Sequence, residues 1–198
     1  MKFALALLLF ATIPTPAVGQ TGPPGSRENC GVCHGKESRD LEKSIHAKAW
    51  ISCTACHGGD PAALDVETAH GKSLARLKKP REMLESCAGC HSNLESMRLY
   101  GLRTDQLSLY WTSQHGQRLA KEDDAPVATC VSCHGSHGIL PTNDPRSPVH
   151  RFNQPETCGR CHADPTLMSR YHLDPNTVAL YRNSVHGHAL LDEGHTAA

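Results

Sequence analysis

The sequence predicts a mainly α fold with extensive loops and little or no β-sheet, its short helices wrapped around bound groups in place of a side-chain core. Three observations carry this expectation. The pattern Cys-x-x-Cys-His recurs five times along 198 residues. Only 38% of the chain is apolar and 5% aromatic, which leaves a conventional core thin. Helix-start signals complete the set: Asp164 precedes Pro165 and Asp174 precedes Pro175, each a capping residue followed by proline at the first helical position.

The five copies are Cys30-Gly-Val-Cys33-His34, Cys53-Thr-Ala-Cys56-His57, Cys87-Ala-Gly-Cys90-His91, Cys130-Val-Ser-Cys133-His134 and Cys158-Gly-Arg-Cys161-His162, and they use all ten cysteines. Cysteines three apart followed at once by histidine form the attachment signature of a c-type haem. Two thiols on adjacent turns can add to the two vinyl groups of one porphyrin, while the next side chain offers its imidazole to the iron from one face. Zinc ribbons take such cysteine pairs two at a time, and five is odd. A disulfide framework would not require a histidine after every second cysteine. The expected cofactor is therefore five covalently attached haem c groups, with His34, His57, His91, His134 and His162 as the proximal iron ligands.

Twenty basic residues balance twenty acidic ones, which gives no reason to expect nucleic acid as a partner. Haem propionates would add negative charge to the holoprotein and favour a redox partner with a basic face. Five porphyrins in so short a chain would also supply much of the buried apolar surface, and the haem-free chain is expected to be largely unfolded.

In chain order, residues 1–19 read as a signal peptide: Lys2, an apolar run from Phe3 to Thr12, and small residues at Ala17 and Gly19. Export to the periplasm or beyond agrees with covalent haem, which bacteria attach outside the cytoplasm. Residues 20–29 are a linker by composition, and 30–198 form one pentahaem domain. A short amphipathic helix is expected over Lys36 to Trp50, with Leu41, Ile45 and Ala49 at helical spacing. Gly58 to Pro61 reads as a turn, and the basic run from Arg76 to Arg81 as a solvated face.

The second half repeats. Residues 85–121 align with 156–192 without a gap, pairing Cys87, Cys90 and His91 with Cys158, Cys161 and His162, Met97 with Met168, Tyr110 with Tyr181, and His115-Gly116 with His186-Gly187. The unit is expected to contain a short helix and then a longer one ending in Tyr-x-x-Ser-x-His-Gly. Between the copies, 141–155 holds four prolines and reads as a wrapping loop. Cys130 lies 15 residues beyond His115, so the repeat would place another cysteine near position 201, and the natural chain is expected to continue into a sixth site.

Nine histidines lie outside the motifs. Four share a context, a hydroxyl residue two positions before and a small residue after: His46, His70, His115 and His186. These are expected distal iron ligands, the small neighbour admitting a haem edge. His137 follows His134 too closely to reach round the same porphyrin, so if it binds iron it binds a neighbouring haem. His150 competes for the same fifth place with less support. His172, His188 and His195 are expected on the surface. Met97 and Met168 read as packing residues, and Tyr100, Tyr110, Trp111, Tyr171 and Tyr181 as aromatic walls. No side chain is assigned a catalytic role.

With these motifs, three of them continuing as His-Gly, and with interleaved Ser/Thr-x-His-Gly segments, the chain resembles the exported multihaem c-type cytochromes of bacterial respiration. The resemblance covers Cys30 to Leu190. It implies closely packed, mostly bis-histidine haems passing single electrons between a membrane quinol-oxidising component, a quinol dehydrogenase or a b-type cytochrome, and a terminal reductase. The alternative it leaves open is part of a multihaem reductase acting on nitrogen or sulfur oxyanions. Such an enzyme needs an exchangeable iron position, whereas all five motifs end in histidine.

Overall fold

A computed structural model describes residues 28–122 and 126–195. The expected signal peptide and most of the linker lie outside the described residues. Within them the chain is helices, turns and loops, with no strand. No helix among them is long and apolar enough to cross a membrane.

Helix α1 (Cys30–Cys33) is one turn, followed directly by α2 (Gly35–Glu42) and α3 (Ile45–Lys48). The single helix expected over 36–50 is thus two. Ser44 causes the break: it is fully buried, and its Oγ accepts from Ala47 N at 3.1 Å, capping α3. An N-capping serine takes extended backbone and cannot continue the preceding helix. Helices α4 (Cys53–His57) and α5 (Val66–Ala69) complete the first half.

The second half begins with α6 (Pro80–His91), α7 (Leu94–Arg98), α8 (Gln106–Thr112) and α9 (Gln114–Glu122), then α10 (Cys130–His134). A 3-10 turn at Arg151–Asn153 leads into α11 (Gln154–His162), α12 (Pro165–Arg170), α13 (Thr177–Arg182) and α14 (Val185–Leu191). The four helices α6 to α9 recur in the same order as α11 to α14. Asn93 caps α7 by accepting from Ser96 N at 2.9 Å, and Asp164 caps α12 by accepting from Thr166 N at 2.8 Å and Leu167 N at 3.0 Å.

Two local expectations differ from the structure. The longer helix does not run through Tyr-x-x-Ser-x-His-Gly: it stops at Thr112 or Arg182, and Ser113 or Ser184 starts a new helix with the histidine in its first turn. Asp174 does not cap a helix at Pro175. Its carboxylate accepts from Asn176 N at 2.8 Å, closing a turn, and α13 begins at Thr177.

The loop from 141 to 150 is a series of three-residue turns, with Asp144 N donating to Pro141 O, Ser147 N to Asp144 O and His150 N to Ser147 O at 2.8 to 3.0 Å. Asn153 Nδ2 bonds Pro145 O and Ser147 O, and Thr157 Oγ1 bonds Pro148 O, fastening the loop to α11.

Among the described residues the buried apolar side chains are Leu84, Met97, Leu119, Val127 and Met168. Met97 and Met168 occupy matched positions in the two repeats and are both buried. Leu119 is fully buried, so Leu119→Ala is expected to cost about 2–5 kcal/mol of unfolding free energy. The exposed Leu99→Ala should stay within about 0.5 kcal/mol. Urea titration of both variants checks the pair.

Candidate functional site

Each Cys-x-x-Cys-His copy forms a single helical turn or the last turn of a longer helix. α1, α4 and α10 are little more than the motif itself, while the third and fifth copies end α6 and α11. One turn of helix places the two thiols on one side and leaves the histidine at the helix end, free to turn its ring away from the backbone. All ten cysteines, Cys30, Cys33, Cys53, Cys56, Cys87, Cys90, Cys130, Cys133, Cys158 and Cys161, are unpaired, and none is fully buried.

The motifs follow one another in space as in sequence. Glu28 joins the first two: its carboxylate accepts from Cys53 N at 2.9 Å and from the Thr54 hydroxyl, so it caps α4 from the other side of α1. Burial works to raise the Glu28 pKa, but the hydrogen bonds from Thr54, Ser52 and Cys53 hold it below its ordinary value. Burial and the Glu28 carboxylate push the Cys53 thiol up to about 12. The ligand atoms of Glu28, Cys30 and Cys53 lie within 4.8 Å of one another. Cys56 is raised by burial and then by Cys90, Cys87 by Cys130 and then by burial, and Cys133 by burial and then by Cys158. Arg160 Nη2 donates to Ser132 O at 3.1 Å, tying the fifth motif to the fourth. The result is a row running from the first motif to the fifth.

Across this row, histidine rings meet in pairs. His34 faces His70 with centroids 5.8 Å apart, His91 faces His46 at 6.0 Å, His57 faces His137 at 6.1 Å, and His162 faces His115 at 6.1 Å. Each pair joins one motif histidine to one histidine from outside the motifs. With bonds of about 2 Å and roughly 1.2 Å from bonded nitrogen to ring centre, two imidazoles on opposite sides of one metal ion have centroids about 6 Å apart. The spacing is compatible with an ion held between the rings. His57 Nδ1 donates to Ala75 O at 3.2 Å, which fixes that ring's orientation and leaves Nε2 for the ion. Burial and then the opposing His91 and His162 work to lower the pKa values of His46 and His115.

No family model, curated protein or solved structure matches the chain.

All fourteen histidines lie among the described residues, so the pairing is complete. His134 has no opposing histidine ring. His186 is exposed and faces none either, although Ser184 presents it as Ser113 presents His115. His150 is the buried histidine, 8% exposed, with Nδ1 sealed and without a partner and its ring against Phe152. His188 pairs with Asp192, His195 with Glu193, and His172 is exposed.

The local context expected for distal histidines is not uniform. Ser44, Ser113 and Ser184 cap the helix that carries the histidine, each accepting from the backbone N–H three residues on. Thr68 does not: Asp65 takes the capping position, accepting from Thr68 N at 2.8 Å, and His70 closes the helix at its far end. Sequence reasoning placed Ser and Thr in one class because the spacing to histidine is the same. The deciding signal was the aspartate three residues earlier.

Tyr110 donates to Ala128 O at 3.0 Å, two residues before the fourth motif, while Arg81 stacks over Trp111 and Arg118 over Tyr171. Tyr100 is exposed.

Proposed function

We propose that this chain is an exported multihaem c-type cytochrome that carries single electrons along a row of haems. The observation that supports the reading best is the set of four histidine pairs at 5.8 to 6.1 Å, each built from one motif histidine and one outside it. Bound haem would supply reversible one-electron storage at iron. The ten cysteines would hold the porphyrins by thioether bonds, and His34, His57, His91, His134 and His162 would set the proximal side.

The residues do the rest of the work. His70, His46, His137 and His115 would hold the group from the side opposite the motif histidines, and imidazole ligation of that kind would favour reversible one-electron chemistry. The closeness of Cys30 to Cys53, whose ligand atoms lie within 4.8 Å, would bring the first two attachment points together. Partners are redox proteins, with a membrane quinol-oxidising component as donor and a terminal reductase as acceptor, and the site of action is the periplasm.

Pyridine haemochrome analysis of the matured protein tests the reading, with five haems per chain as the expected count. His70→Ala is expected to keep five haems and convert one of them from low-spin to high-spin in the electron paramagnetic resonance spectrum. A matured chain that carries no haem overturns the proposal.

A further inference from the structure

We infer that Trp50 is the aromatic cover of the haem held between His46 and His91, set there by a backbone turn that fixes His46 at the same time. This rests on the haem reading above and deepens it, because it gives one site of the row a residue that places the distal ligand and tunes the potential.

Trp50 has φ 61°, in the left-handed region, where a bulky side chain crowds its own backbone. Trp50 N donates to Ala47 O at 3.1 Å and Ile51 N donates to His46 O at 2.9 Å. These are the two bonds of a Schellman cap, here closing α3, and glycine is the usual residue at the position Trp50 holds. The chain does use glycine in the same turn after α7. There Gly101 has φ 63°, with Gly101 N donating to Arg98 O and Leu102 N to Met97 O, both at 3.3 Å. Its counterpart in the second repeat is His172, with φ 54°, a residue type enriched in this region. Tryptophan is the exception, so a contact outside the turn has to offset its strain.

The surrounding protein does not stack on the indole. Trp50 is 57% exposed, and among the described residues no other ring and no guanidinium lies against it. The chain's second tryptophan differs. Trp111 lies within α8, with Tyr110 edge-on at 5.4 Å and Arg81 over its ring.

The place of the turn identifies the contact. Its wider bond ends on the carbonyl of His46, whose ring faces His91 at 6.0 Å, so one closed turn fixes both Trp50 and His46. A flat apolar indole suits a porphyrin face. Such cover keeps water from the iron and disfavours the more highly charged ferric state, which raises the potential. The second motif begins three residues on, at Cys53, and its haem is the competing surface.

The test uses the matured protein, with haem counted first. A wild type without haem overturns the parent reading and this one with it, whereas the outcomes below touch this one alone. Haem methyl signals in the proton magnetic resonance spectrum of the oxidised protein report each porphyrin separately. His46→Ala turns the haem of the third motif high-spin and so marks its methyl set, and His137→Ala marks that of the second. In Trp50→Gly the third set is expected to shift while the others stay, and one step of the potentiometric titration moves to lower potential. Trp50→Phe, which keeps a ring at the turn, should restore both. Unmoved methyl signals in Trp50→Gly, with a higher melting temperature from the relieved turn, overturn the inference. So does a shift confined to the methyl set of the second motif. Trp50→Leu gives the same readout if the glycine variant does not accumulate.

Discussion

Grown without haem attachment, the chain is expected to lose most of its helical circular-dichroism signal and its cooperative thermal transition. The reason lies in what is buried. Among the described residues the apolar core is Leu84, Met97, Leu119, Val127 and Met168, while Trp50, Leu64, Leu94, Leu99 and Val185 are each more than half exposed. Ordering a residue's backbone costs about 1–2 kcal/mol, and five buried side chains cannot offset that over so long a chain. Nor can the helices stand alone, since α1, α3 and α5 are four residues each, far below the length at which isolated helices persist. Porphyrin faces between the paired histidines would supply the missing apolar surface. Native-like far-ultraviolet circular dichroism of the haem-free chain would remove this account.

Gly116→Ala is expected to destabilise the holoprotein by about 1–3 kcal/mol through overpacking and to turn one haem high-spin, whereas Gly187→Ala should cost a similar amount and leave every spin state unchanged. A Cβ on Gly116 would sit 2.1 Å from Tyr110 O, and one on Gly187 would sit 2.1 Å from Tyr181 O. Both glycines let a new helix start hard against the end of the one before it. In each case the serine hydroxyl at the junction donates to the preceding tyrosine carbonyl, at 2.6 Å for Ser113 and 2.7 Å for Ser184, and accepts from the glycine N–H at 3.1 Å. The junctions are alike, but only His115 faces another ring, that of His162. The matched variants therefore separate strain, common to both, from ligand placement, which belongs to the first repeat alone. Thermal melts and electron paramagnetic resonance of the two variants read the two effects separately.

The mainly α architecture was legible because its causes are local. Proline and aspartate at 164–165, the seven-letter junction around Ser113 and Ser184, and one-turn motifs of fixed spacing all act within a few residues. What was not legible depended on competition between neighbours. Ser44 looked like a helix-interior residue until its burial and its bond to Ala47 made it a cap. Asp174 promised a helix at the next proline, yet Asn176 N claimed its carboxylate first. For the site, residue type and spacing singled out His46, His70, His115, His137 and His186 as candidate ligands, with His150 behind them, but no spacing states which motif each one faces. That assignment depends on how distant segments cross, and the structure sets the His115 ring, but not that of His186, against a motif histidine.

The crossing of those segments bears on the order in which the molecule can be assembled. Counted along the chain, the rings that meet are 36 residues apart for His34 and His70, 45 for His46 and His91, 80 for His57 and His137, and 47 for His115 and His162. All four of these loops overlap another: the span from His57 to His137 takes in His91, whose own partner lies upstream at His46. The entropic cost of closing even the longest loop exceeds that of the shortest by less than about 1 kcal/mol, so the penalty is one of timing. In a chain made from its N-terminus, His57 waits through 80 residues while His46, His70 and His115 are all available to it first. Under the haem reading, correct partnering at the second motif would be delayed or reached by exchange, and mispairing there is expected as a slow step of maturation.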